Sequence, residues 1–331
     1  MSCYHVANGG QRLCVARGRR RTCAGGDEGV FSMANLNRRN FLKVAATAAG
    51  TTILVGCGGT STTTDAGSAD ATADAGSAAA GDVTQLTFEP GKLTVATGNP
   101  AWEPWVKDDN PESGEGFEAA VIYALAEKMG FASEDVVWVR TTFDEAYAPG
   151  DKEWDLNIQQ VSITEERKQA VDFSPAYYRP TQSVIAKNDS AYAGATTVAD
   201  LADATFAVMV GTTAYDFVAD IFKGGSDDGI EAYNNNSDAV AAVDAGQADV
   251  LVTDTPQCVY MVASEQITDG TVVGQIPGTE DPDGLGIVLP LGSDLTAYVT
   301  EAMNELLDDG TIDGLIETWL TEYTSVPMLS E

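Results

Sequence analysis

The sequence predicts an α/β fold of two similar lobes with a ligand cleft between them. Three observations lead there. Strand-like and helix-like patterns alternate from residue 90 to residue 325. That stretch, about 240 residues, has the length of two ordinary small domains. Hydrophobic residues make up 44% of the 331, enough for a core that needs no covalent staples.

A β-rich run at 92–97 opens the pattern. A helix follows over 116–129, where Phe117, Val121, Leu125 and Met129 share one face and Gly130 supplies the stop. Strands are predicted at 136–139, 156–161, 184–187, 206–210, 250–253 and 285–289, and helices at 215–222, 238–245, 295–307 and 312–323. Such alternation implies layers of helix on a largely parallel sheet.

The formal net charge is -32, which excludes nucleic acid as a partner, because phosphate binding needs clustered Lys and Arg. The charge is uneven. Residues 1–57 hold eight of the 18 basic residues and two of the 50 acidic ones. A basic start ahead of an acidic body is the pattern of an export signal preceding a secreted domain.

Residues 33–57 carry that signal. Arg38 and Arg39, followed by Phe41-Leu42-Lys43, resemble a twin-arginine export motif. The apolar run 44–55 is too short to span a bilayer but suits a signal peptide. Leu54-Val55-Gly56-Cys57 resembles a lipobox, which implies cleavage before Cys57 and acylation of its thiol. Residues 1–32, ahead of Met33, are expected to be an unstructured upstream extension. Residues 57–89 are expected to be the lipidated cysteine and a flexible linker, since 58–82 are Gly, Ser, Thr, Ala and Asp with scarcely an apolar side chain to bury.

Of the five cysteines, Cys3, Cys14 and Cys23 would leave with the signal, and a lipidated Cys57 leaves Cys258 unpaired, so no disulfide framework is expected. Cys3, His5, Cys14 and Cys23 match no zinc spacing, and neither a metal nor a cofactor is expected. His5 is the single histidine, which removes histidine-based catalysis from the body of the chain.

Five stretches of the body resemble the amino-acid type of extracellular solute-binding protein, family 3. They are Gly116-Phe117-Glu118; Asp155-Leu156-Asn157-Ile158; Ser162-Ile163-Thr164-Glu165-Glu166-Arg167 with Val171-Asp172-Phe173-Ser174-Pro175; Val210-Gly211-Thr212-Thr213; and Asp249-Val250-Leu251-Val252-Thr253-Asp254. The ending from Asp309-Gly310-Thr311 to Trp319 resembles the closing helix of that family. The resemblance implies a periplasmic-binding-protein-like fold crossed twice by the chain. Lobe 1 is then 90–187 plus 284–325 and lobe 2 is 188–283, with the crossings as hinge.

The resemblance also implies a site. Arg167 would hold the ligand carboxylate in a bidentate pair, with Ser162 and Thr164 in the same turn. Gly211, Thr212 and Thr213, opening a helix, would clamp that carboxylate from across the cleft. Asp254 would receive the ligand ammonium, and Trp102 would pack on the ligand side chain with Asn99 and Gln160 as polar neighbours. Read without the family, Ser162 and Glu165 make a capping box, residues 165–168 make a solvated helix start, and Asp254 caps a helix with Pro256 in its first turn.

These expectations describe a monomeric, membrane-anchored, extracytoplasmic protein. It would bind an α-amino acid and serve an ABC permease and its ATPase, with no catalysis of its own. A sensory receptor for the same ligands and a dehydratase-like enzyme on the same fold are the alternatives.

Overall fold

The computed structural model describes residues 82–331 and, upstream, one short antiparallel ladder between Val15–Ala16 and Arg19–Arg20. The export motif with Arg38 and Arg39, the acylation site Cys57 and the tether up to residue 81 lie outside the described residues.

Two five-stranded sheets organise the body. The first holds β1 (Leu93–Thr97), β2 (Val136–Arg140), β3 (Leu156–Asn157), β4 (Val171–Phe173) and β10 (Val288–Pro290), in the order β2-β1-β3-β10-β4. The second holds β5 (Gln182–Lys187), β6 (Phe206–Met209), β7 (Ile230–Tyr233), β8 (Val250–Asp254) and β9 (Gly270–Gln275), in the order β9-β5-β8-β6-β7. Both sheets are mixed rather than largely parallel, because the strands next to the crossings, β5 and β10, run antiparallel to their neighbours.

Each sheet is covered on both faces, so its central strands are apolar on both sides. In the first lobe, α1 (Phe117–Lys128), α6 (Thr296–Asp308) and α7 (Thr311–Trp319) bury Phe117, Val121, Leu125, Val299, Met303 and Ile312 against Leu93, Val95 and Leu289. The short helix α2 (Phe143–Tyr147) and Trp154 cover the opposite face over Ala96 and Val288. In the second lobe, alternation along β8 sends Val250 and Val252 to α3 (Thr213–Lys223) and Leu251 to α4 (Asn236–Asp244) and α5 (Thr255–Ala263). Cys258 is buried in that second layer as a free thiol.

Three boundaries differ from expectation. The body starts before residue 90: Thr87 is buried, and the Phe88 amide donates to the buried Asp155 carboxylate at 2.6 Å. The other oxygen of Asp155 accepts from the Thr94 amide at 2.8 Å, so residues 82–89 are tied to β1 rather than to the tether. The first crossing falls between Phe173 and Gln182, not after 187, because β5 pairs with β8 and β9 in the second sheet. The return crossing falls between Gln275 and Val288.

The third difference is a further return of the chain after α7. Gln275 donates its amide to the Pro327 carbonyl at 2.8 Å, and the Leu329 amide donates to the Gln275 carbonyl at 2.9 Å. Leu329 is buried in the second-lobe core. Gly274 permits this approach, since a Cβ there would come within 2.9 Å of the Leu329 side chain. Leu329→Ala is therefore expected to cost about 2–3 kcal/mol in a denaturant titration, as for other buried leucines. A change below about 0.5 kcal/mol would mean the tail is not part of the core.

Candidate ligand-binding cleft

Arg167 sits in a 3-10 turn, Arg167–Gln169, between β3 and β4. Its neighbours Glu165, Glu166 and Lys168 are exposed, while Arg167 itself is 8% exposed. A solvated helix start would leave all four in water, so that reading fails. The guanidinium lies 4.4 Å over the Tyr147 ring and 5.5 Å from the Phe143 ring, both on α2. It donates to the Ser162 carbonyl and to the Gly211 carbonyl, each at 2.8 Å. Burial lowers its pKa from the ordinary arginine value.

Gly211 lies in the second lobe, so this hydrogen bond joins the lobes. Its φ of 73° is in the left-handed region, and a Cβ would come within 2.7 Å of the Tyr147 hydroxyl. Thr212 caps α3, accepting from the Tyr215 amide at 3.3 Å. The hydroxyls of Ser162 and Thr213 meet at 3.3 Å, a second contact between lobes. The capping box expected of Ser162 does not form. Thr164 does the capping instead, accepting from the Arg167 amide at 3.2 Å.

Asp254 ends β8 and precedes Thr255 and Pro256 in the first turn of α5. It occupies the N-cap position, yet its side chain makes no capping hydrogen bond. It accepts from Gln182 Nε2 at 2.6 Å, across the register that sets Gln182 opposite Asp254. Burial raises its carboxyl to about 7, and the Gln182 donor only partly offsets this. Half-buried and making no capping bond, Asp254 lines the cleft between the lobes.

Gln160 has a φ of 55°, a left-handed conformation rare for its residue type. Glu118, on α1 and buried, accounts for it. The Glu118 carboxyl accepts from the Gln160 amide at 2.8 Å, from Gln160 Nε2 and from the Tyr177 hydroxyl. Burial pushes Glu118 up to about 7. Glu118→Ala is expected to lower the melting temperature and weaken ligand binding, because the buried Tyr177 hydroxyl loses its acceptor, at roughly 1–3 kcal/mol before relaxation, and the half-buried Gln160 loses two hydrogen bonds as well. Unchanged values in both would remove Glu118 from the support of the cleft.

Arg167, Ser162, Gln160, Thr212, Thr213, Gln182 and Asp254 line one cleft of about 240 Å³, which also includes Asn99 and Trp102. Trp102 packs against cores of both lobes. Of the expected site residues, Asn99, Trp102, Gln160, Ser162, Arg167, Thr212, Thr213 and Asp254 line it. Thr164 and Gly211 do not line it, but each accepts a hydrogen bond from Arg167. Trp105, near Trp102 in sequence, is instead fully buried between Phe117 and Tyr178. Sequence reasoning missed Tyr147 and Phe143, on a one-turn helix, and Gln182, whose partner is known only once the strands are paired.

Two α/β lobes meeting at a small polar cleft define a solute-binding protein. The chain belongs to the bacterial extracellular solute-binding proteins, family 3, whose pattern matches residues 93–322. It is 29% identical over 219 residues to the amino-acid-binding protein AabA of Dichelobacter nodosus, covering 65% of this chain and 83% of that one. It resembles the structure of an ancestral arginine-binding protein bound to glutamine, at 28% identity and a TM-score of 0.58, covering 70% of this chain and 98% of that one. It also resembles an ancestral amino acid-binding protein described as a precursor of cyclohexadienyl dehydratase, at 29% identity and a TM-score of 0.55, covering 70% of this chain and 96% of that one. Amino-acid solute binding for ABC transport is the function that family and relatives support.

Proposed function

We propose that this protein binds one extracellular α-amino acid in the cleft and delivers it to an ABC permease and its ATPase. The observation that carries this reading is the charge of the lining: one cation, Arg167 from the first lobe, and one carboxyl, Asp254 from the second. An α-amino acid presents the complementary pair on a single carbon. Arg167 takes the carboxylate as a bidentate fork, assisted by Ser162, by the hydroxyls of Thr212 and Thr213 and by the amino end of α3. Asp254 takes the ammonium. Trp102 packs on the side chain, with Asn99 and Gln160 as polar neighbours. Thr164 and Gly211 hold Arg167 in place.

Because the partners lie on two lobes, ligand favours the closed arrangement by its differential affinity for it. Closure is the state that a permease would recognise. The protein acts as a monomer outside the cytoplasm, exported by the Arg38-Arg39 signal and held to the membrane by acylated Cys57.

A thermal-shift screen of the purified chain against the twenty amino acids at pH 8 tests this. A ligand at about 100 times its dissociation constant stabilises by roughly 2.7 kcal/mol, a rise of roughly 5–10 °C. No rise with any amino acid would sink the reading.

A second reading has one observation in its favour. Asp254, in the cleft, titrates near 7, as a general acid or base would. A dehydratase acting on a cyclohexadienyl acid would use such a group. Incubation with prephenate and detection of a decarboxylated, dehydrated product decides it, and no turnover is expected.

A further inference from the structure

We propose that the bound amino acid has an uncharged side chain ending in a primary carboxamide, as in glutamine or asparagine. This rests on the amino-acid reading of the cleft and goes beyond it to the ligand's side chain.

Charge complementarity comes first. Among the described residues that line the cleft, Arg167 and Asp254 alone are charged. The α-carboxylate and α-ammonium use both. A lysine, arginine, aspartate or glutamate side chain would bring a third charge into a wall with nothing to neutralise it, which is heavily penalised away from water. The carboxyl just behind the wall, Glu118, is already taken by Gln160 and Tyr177. Asp109, whose carboxylate accepts from the Ala101 amide of the wall at 2.8 Å, is held by Arg140 at 2.6 Å.

Hydrogen bonding comes second. The rest of the wall is rich in amides: Asn99, Gln159, Asn234, Asn236 and Gln257. Two buried atoms of wall residues have no partner, Gln257 Nε2, a donor, and Gln182 Oε1, an acceptor. Gln159 and Asn157 are by contrast paired, with the Gln159 amide nitrogen donating to Asn157 Oδ1 at 2.9 Å and to Thr141 Oγ1 at 3.0 Å. A wall with an orphaned donor and an orphaned acceptor selects against an aliphatic side chain, which would leave both unmet. A primary carboxamide offers one group of each kind. A hydroxyl also offers both, but from a single atom, whereas a carboxamide presents its donor and its acceptor on two atoms.

The test is calorimetric titration of the whole chain at pH 8 with l-glutamine, l-asparagine, l-serine, l-leucine, l-arginine, l-lysine and l-glutamate. Glutamine or asparagine is expected to bind at least tenfold more tightly than every other member of the set. Gln257→Leu is expected to reduce the preference for the amide ligand over leucine by about tenfold, and Gln257→Glu to improve lysine or arginine relative to the amide. Tightest binding by a charged ligand, by leucine or by serine would overturn the proposal while leaving the amino-acid reading intact. An unmoved preference in both Gln257 variants would overturn the role given to that wall. Binding of no amino acid at all would overturn the underlying reading, and this proposal with it.

Discussion

Arg167→Ala is expected to weaken amino-acid binding by about a hundredfold or more. Removing one partner of a buried, hydrogen-bonded charge pair costs roughly 2–5 kcal/mol, and each 1.4 kcal/mol is a factor of ten. The guanidinium also joins the lobes through the Gly211 carbonyl and stacks on Tyr147, so the closed arrangement loses support together with the ligand. Arg167→Lys separates the two effects. It keeps the charge but loses the planar fork, and is expected to recover only part of the affinity. Direct titration of both variants checks this. An Arg167→Ala affinity within threefold of the parent would contradict the carboxylate assignment.

The second large effect is that of pH. If Asp254 receives the ligand ammonium as proposed, it does so ionised, and in the free protein burial raises that carboxyl to about 7. A bound ammonium stabilises the carboxylate, so binding displaces a proton wherever Asp254 is protonated. Affinity should therefore be level above about pH 8 and fall by up to tenfold per unit below about 6, provided the ligand's own groups keep their charge. Asp254→Asn should bind weakly at every pH and lose this slope.

Stability of the free protein moves the other way. Glu118 and Asp254 bind protons more tightly folded than unfolded, so they favour folding at acid pH. Their contribution declines as pH rises from the ordinary carboxylate range through about 7. The ligand-induced rise in melting temperature should grow over the same interval. A shift of constant size from pH 5 to pH 8 would show that Asp254 does not carry the ammonium.

The lobes and their helices were legible because periodic apolar residues mark α1, α3 and α6 whatever their surroundings. The pairing of strands was not. The run at 182–187 is buried almost throughout, and nothing in its own residues says which sheet it joins, so a crossing after 187 and one before 182 fit its sequence equally. The mixed direction of both sheets was hidden for the same reason. In the cleft, Arg167, Thr212, Thr213 and Asp254 were legible through the family resemblance alone, since each has an ordinary helix-start or capping role when read by itself; all four line the cleft. Supporting residues were not, because Tyr147, Gln182 and Glu118 gain their roles from partners 20, 72 and 42 residues away in the chain. Glu118 was visible only as part of a helix-opening motif. Its bracing of Gln160 depends on a backbone φ that no spacing rule reveals.

The most direct measurement is a calorimetric titration, at pH 8, of the parent, Arg167→Ala and Asp254→Ala with the amino acid that most raises the melting temperature. The expected result is one site per chain in the parent, with affinity lowered about a hundredfold or more in each variant. Binding that survives unchanged in either variant would contradict the claim that these two residues hold the two charged ends of one amino acid.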